Sequence, residues 1–187
     1  MKIFLEALNH PADAFQRGKF TVSCTLVAVT ALLNAVFVQI LSHFFSEFPS
    51  AWNVFKMLKV TAFSALTYVI ICLAFWLVCK CYGSKSTFMG HLKAWGTTYY
   101  PTAVCAVVVP VTEVFFYVFW NSTIWGILIN FVFGGILIWK AILYIIYLKD
   151  FAGLKGWRFA GAFVAMGVII IVMAALDGYL GVITPGL

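Results

Sequence analysis

The chain has 187 residues, of which 64% are hydrophobic and only 10% are charged. A typical soluble domain is about 45–50% apolar and about 25% charged, so this chain has too few polar residues to cover a soluble fold. The net charge of +6 does not indicate nucleic-acid binding, because the basic residues lie in short segments between apolar runs. The composition therefore predicts an integral membrane protein.

The first 19 residues are predicted to form a cytoplasmic amphipathic segment, 1–19, that lies in the membrane interface. Apolar side chains recur there at helical spacing, at Ile3, Phe4, Ala7 and Leu8. Pro11 would end this short helix or start a second one, because proline fits a first turn but interrupts a helix interior. A helix of this kind binds membranes through its apolar face.

Five long apolar runs follow and define a single transmembrane domain, 20–187. They lie at about 20–45, 57–81, 95–119, 124–148 and 157–181. Each run has about 25 residues, which as a helix is about 37 Å long and exceeds a hydrocarbon core of about 30 Å. The predicted fold class is all-α: a polytopic membrane protein whose bundle of five transmembrane helices follows a short N-terminal amphipathic interfacial helix.

The basic residues between the runs predict the orientation of the bundle. One side carries nine of them: Lys2, Arg17, Lys19, Lys80, Lys85, Lys93, Lys149, Lys155 and Arg158. The other side carries only Lys56 and Lys59. Because positive loops stay inside, the N-terminus is predicted to be cytoplasmic and the C-terminus to lie outside.

The third run contains residues that are costly or disruptive in a membrane helix, in the stretch GTTYYPTAVCAVVVPVTEVFF at 96–116. Pro101 and Pro110 each remove a backbone donor and are expected to bend the helix. Threonine hydroxyls such as that of Thr102 can satisfy the freed carbonyls. The candidate functional or packing residues in this run are Tyr100, Pro101, Thr102, Pro110 and Glu113. Their side of the helix faces packed protein, water or a ligand, and the sequence leaves these alternatives open.

Two further charged residues, Lys140 and Asp177, fall within predicted spans. Counted along the helices, Glu113 and Asp177 lie near the outer interface, where a charge costs little. Lys140 lies about 12 Å from the inner end of the fourth span, so its long side chain could snorkel toward the headgroups. These depths favour a structural, interfacial role for the three residues over a conduction pathway.

The fourth run carries a stripe of small and polar residues in which Gly126, Asn130 and Gly134 recur every four positions. Small residues at this spacing let two helices approach closely, and an asparagine can form a hydrogen bond across the contact. The stripe fits packing within the chain and homodimerisation equally well. Asn34 and Gln39 in the first run are predicted to face the bundle.

No catalytic constellation is visible in the sequence. His10, His43 and His91 are scattered, and no carboxylates pair at matched depth. The five cysteines do not have disulfide or zinc-site spacing, and we expect free thiols. The sequence therefore predicts a protein that is not an enzyme and binds no cofactor or metal.

Two segments resemble a known family: HPADAF at 10–15 and YGSKSTFMGHLKAWGTTYYP at 82–101, the second ending on the pair Tyr100-Pro101. With the five compact spans, they make the chain similar to the Yip domain family of Ypt-interacting proteins, and most similar to its short bacterial inner-membrane members. The resemblance implies a five-span bundle in the bacterial plasma membrane. Eukaryotic members bind Rab-type GTPases in vesicle trafficking, and the family supplies no catalytic residues to transfer.

Two functions remain open at this stage. The first is a non-enzymatic scaffold in membrane organisation or trafficking, whose partners are membrane lipids, including anionic headgroups at the cytoplasmic loops, and a second copy or another membrane protein. The alternative is a small transporter or ion channel that uses the kinked third span around Pro101, Pro110 and Glu113, since a discontinuous helix can build a midplane site.

Overall fold

A computed structural model of the chain describes residues 11–17, 19–44, 53–115 and 122–179. The regular elements of these residues are all helical. In chain order they are α1 (Pro11–Arg17), α2 (Phe20–Phe44), α3 (Val54–Cys81), α4 (Phe88–Trp95), a 3₁₀ turn (Gly96–Thr98), α5 (Tyr99–Val114), α6 (Thr123–Ile146), a π-helical turn (Tyr147–Phe151) and α7 (Gly156–Tyr179).

Four of the described helical segments are long and apolar enough to cross a membrane: Phe20–Phe37, Val54–Cys81, Thr123–Phe151 and Gly156–Asp177. They correspond to the first, second, fourth and fifth predicted spans. The all-helical, membrane-embedded class of the protein is therefore confirmed. The third predicted span contains α5, which has 16 residues, and its outer end falls in residues 116–121, outside the described part. The count of five spans thus stays a prediction.

The helical structure of the third segment begins earlier than the predicted residue 95. Thr87 caps α4, and its hydroxyl accepts a hydrogen bond from the Gly90 backbone N–H at 3.2 Å. The 3₁₀ turn then tightens the chain, and the hydroxyls of Thr97 and Thr98 donate to carbonyls three residues back, at 2.6 and 2.7 Å. The third segment is therefore two helices joined by a turn.

The centre of the bundle is formed by α2, which packs against both α3 and α5, while α3 also contacts α7. Asn34 and Gln39 on α2 are buried, which confirms that they face the bundle. At one end, α2 crosses the 3₁₀ turn so closely that the Ser23 hydroxyl donates a hydrogen bond to the Lys93 carbonyl. This crossing ties the first long helix to the α4–α5 junction.

An aromatic cluster closes the end of the bundle that is predicted to be cytoplasmic. The ring of Trp95 lies 4.5 Å from that of Phe75 and 5.3 Å from that of Tyr147, each edge to face. Phe15 on α1 packs edge-on against Tyr147 at 5.9 Å and is buried. The described part of the predicted amphipathic segment is thus anchored on this cluster, and residues 1–10 lie outside the described part.

Candidate functional site

The predicted residues at the start of the third span lie inside the protein. Tyr100, Pro101 and Thr102 are all buried in the first turn of α5. Pro101 is the third residue of α5, which begins directly after the 3₁₀ turn. Proline lacks a backbone N–H, and its ring clashes with the carbonyl four residues earlier, so it interrupts a continuous α-helix. The interruption at Gly96–Thr98 therefore falls where Pro101 requires it.

The second half of α5 holds the other two predicted residues. Pro110 is buried inside the helix, and nearby Thr112 donates its hydroxyl hydrogen to the Val109 carbonyl at 2.9 Å. Glu113 belongs to the helix, but its side chain lies outside the described part, so its interfacial role stays a prediction.

Lys140 does not snorkel to the headgroups, as the sequence had led us to expect. Its side chain is only 6% exposed and points into the interior, where it lines a cavity between the helices. None of the described residues forms an ion pair or a hydrogen bond with its ammonium group. The expectation was wrong because depth along a helix does not show which face a residue occupies, and Lys140 lies on the inner face of α6.

Asp177 lies close to the end of α7, as expected, but its side chain is buried within the bundle. The hydroxyl of Thr67 on α3 donates a hydrogen bond to its Oδ1 at 3.1 Å. A buried carboxylate needs such donors, because burying the group without a partner is costly. The bond links the second span to the fifth.

We expect Thr67→Val to lower the thermal stability of the purified protein, since valine keeps the shape but removes the donor from the buried carboxylate. Hydrogen bonds to charged groups contribute about 1.5–3 kcal/mol. The matched control is Thr61→Val on the same helix, where the lost bond is a local one to the Met57 carbonyl at 2.9 Å. Equal melting temperatures for the two variants would contradict the importance of the Thr67–Asp177 link.

The glycine–asparagine stripe of the fourth span does not pack within the described part of the chain. Asn130 is exposed, and a methyl group added at Gly134 would meet no described atom within 4 Å. Gly161 on α7 behaves differently, because an added methyl would come within 2.7 Å of the Tyr82 ring. The stripe therefore makes no close contact with the described residues, and homodimerisation through it stays a prediction.

The cavity beside Lys140 has a volume of about 40 Å³ and is lined by residues from α2, α3, α5, α6 and α7. It therefore lies where all the long described helices meet. Of the predicted residues, it brings together Thr102 and Lys140, and Asp177 is connected to it through Thr67. Tyr100, Pro101, Pro110 and Asn130 do not line it.

Sequence reasoning missed several polar residues of this cavity, namely Ser64, Thr67, Tyr99 and Tyr144. Ser64, Thr67 and Tyr144 lie in apolar runs, where one polar residue gives a weak signal. A stronger signal would have been the positions of all hydroxyl residues on one helical face, because Ser64 and Thr67 lie three residues apart on α3.

A second polar group lies at the predicted cytoplasmic end, around His91 at the centre of α4. The ring is fully buried, with Nε2 2.7 Å from the Ser86 hydroxyl and Nδ1 in contact with the Tyr147 hydroxyl. The Ser86 hydroxyl also lies 2.7 Å from that of Ser84, which donates to the Ala152 carbonyl at 2.8 Å. The sequence had suggested only that the histidines are scattered.

These contacts fix the directions of the hydrogen bonds that run from His91 Nε2 to Ala152. Because Ser84 gives its hydrogen to Ala152, Ser86 must donate to Ser84, and His91 Nε2–H must donate to Ser86. Burial lowers the pKa of His91 from 6.5 to about 4 and so favours the neutral ring. In the neutral ring Nδ1 carries no hydrogen and accepts from the Tyr147 hydroxyl.

The described residues contain no group of three or more His, Cys, Asp or Glu side chains that could hold a metal ion. All five cysteines are free thiols, as expected. No family model, curated protein or solved structure matches the chain.

Proposed function

We propose that the protein is a non-enzymatic integral membrane protein that acts through contacts with lipids and other membrane proteins. One observation carries this proposal: 11% of the residues in Gly156–Asp177 are buried inside the protein, against 33% in Val54–Cys81. Because so few of its residues are buried inside the protein, this span presents most of its surface to the membrane. Lipid or a partner helix must cover that surface.

The same proposal includes a place for a protein partner, on the face of α6 that carries Asn130 and Gly134. An exposed amide within a hydrocarbon layer is costly, and a neighbouring helix could satisfy it while the glycine allows close approach. The proposal also includes similarity to Yip proteins, a location in a bacterial inner membrane and a cytoplasmic N-terminus. The basic inner loops would then face anionic headgroups.

The experiment is photo-crosslinking in membranes with a benzophenone side chain at Leu137, which is 66% exposed and lies one helical turn from Gly134 on the same face. We expect a discrete protein adduct there. The control position is Leu73 on α3, where the exposed face carries no such stripe and lipid adducts should dominate. If both positions gave only lipid adducts, the proposed contact with a protein partner would be wrong.

A small transporter or channel is the second candidate, and the cavity beside the buried Lys140 is the observation that favours it. Ion and proton flux through proteoliposomes separates the two functions, with Glu113→Gln and Lys140→Met as variants. Flux that either substitution abolishes would replace the scaffold proposal. An absence of flux across a panel of ions, for the wild type and both variants, would support the scaffold.

A further inference from the structure

The cavity beside Lys140 has the size of a small ion site. One water needs about 10–15 Å³ of such space, so a volume of about 40 Å³ holds one small ion together with a water or two. An empty cavity in a protein interior is normally apolar. The accessible wall of this cavity is mostly apolar, but it includes an ammonium group and several hydroxyls, and these groups are the partners that an occupant would hydrogen bond.

Three of the hydroxyls in the wall already use their hydrogens elsewhere. Thr30 donates to the Leu26 carbonyl at 2.8 Å, Thr67 to Asp177 at 3.1 Å, and Thr98 to the Trp95 carbonyl at 2.7 Å. These groups can offer only lone pairs to an occupant. They can accept a hydrogen bond from a water, and they give a negatively charged occupant no donor.

Four other hydroxyls in the wall keep their hydrogens available. Within the described part of the chain, Ser64, Tyr99, Thr102 and Tyr144 form no side-chain hydrogen bond, although all four line the cavity. The one polar side-chain atom sealed away without a partner in that part is Nε1 of Trp76, which lies elsewhere. The four hydroxyl oxygens therefore adjoin open space. Their available donors are what an anion requires.

Lys140 supplies the charge. Its side chain is more than nine-tenths buried, and no carboxylate of the described residues pairs with it. An isolated buried ammonium group is strongly unfavourable, whereas a counter-ion within hydrogen-bond distance offsets much of the cost. A metal cation would be repelled by the same group.

We propose that this cavity binds a small monovalent anion of about the size of chloride. Lys140 provides the opposing charge, and Ser64, Tyr99, Thr102 and Tyr144 provide hydroxyl donors from three of the helices. Binding joins α3, α5 and α6 around one ion, so the site also stabilises the bundle. The inference does not depend on the proposed scaffold role, because an anion can be a structural ligand or a transported one.

The test is the linewidth of the ³⁵Cl NMR signal of chloride with the full chain in a non-ionic detergent, at constant sodium. We expect excess broadening of the chloride signal, and bromide should compete for the site and remove it. Gluconate is too large for the cavity and should leave the broadening unchanged. Lys140→Met should abolish the broadening. The control is Lys155→Met, which removes an exposed lysine from the loop before α7 and should leave the broadening unchanged.

Tyr144→Phe keeps the test decisive if Lys140→Met fails to fold. This variant removes one hydroxyl donor but retains the ring that stacks on Trp95 at 5.0 Å. We expect its chloride affinity to fall several-fold. Broadening that is absent in the wild type, or is equal in the wild type, Lys140→Met and Tyr144→Phe, would overturn the anion site, whatever the result of the crosslinking experiment.

Discussion

Gly96→Ala is expected to destabilise the protein strongly, although alanine is the better helix former. A methyl group at Gly96 would lie 2.7 Å from Ser23 Cα and 2.3 Å from Ser23 Cβ. Backbone atoms cannot yield as the end of a long side chain can, so α2 would have to move away from the α4–α5 junction. That movement would break the bond from the Ser23 hydroxyl to the Lys93 carbonyl.

Two effects of the substitution oppose each other, and their sizes decide whether the variant is more or less stable than the wild type. Replacing glycine by alanine in a helix gains about 1 kcal/mol, and overpacking costs typically about 1–3 kcal/mol. Because the clash here involves backbone, we place the cost at the upper end and expect a net loss of thermal stability.

The matched control for this prediction is Gly135→Ala on α6, where an added methyl meets no described atom within 4 Å. The control should melt at the same temperature as the wild type or higher. The measurement is the melting temperature of each purified variant in detergent. A Gly96→Ala protein as stable as the Gly135→Ala protein would show that α2 does not cross the turn this closely.

The sequence predicted the class of the fold and the positions of four apolar spans well, because both follow from hydropathy and helix length, which are local properties. The α4–α5 interruption was predicted less well. Pro101 signalled a bend, but the helix that starts at Phe88 lies before the apolar run that marked the third span, and its capping residue, Thr87, lies in a polar loop.

The candidate site was only partly predictable, since it depends on which helices face each other. Thr102 and Lys140 were singled out by residue type, and the structure places both at one cavity. The burial of Lys140 could not be inferred, because the rotation of α6 about its axis is set by its neighbours.

The folded protein is expected to lose stability as the pH falls from about 6.5 to about 4, because of His91. Its pKa is lowered from 6.5 to about 4 in the folded state, where burial disfavours the charged ring. Between these two values the unfolded chain binds a proton that the folded protein does not, so acid favours unfolding. The free energy of unfolding falls by about 3 kcal/mol in total, and the full loss is reached below about pH 4.

The hydrogen-bond directions give the structural reason for this loss. A protonated ring donates from both nitrogens, so Tyr147 could no longer donate to Nδ1 and would have to turn its hydroxyl hydrogen away within a closed aromatic cluster. His91→Gln cannot titrate, but its amide can still donate to one hydroxyl and accept from another. It should therefore lose less stability between pH 7 and pH 4 than the wild type does.

The measurement compares melting temperatures of the wild type and His91→Gln across this pH range. Every other titratable group is present in both proteins, so the difference between the two curves isolates the histidine. We expect the curves to separate as the pH falls below about 6.5 and to run parallel again below about 4. Parallel curves over the whole range would mean that the ring titrates with the same pKa in the folded and unfolded states, and that the neutral chain from Tyr147 to Ala152 does not hold it.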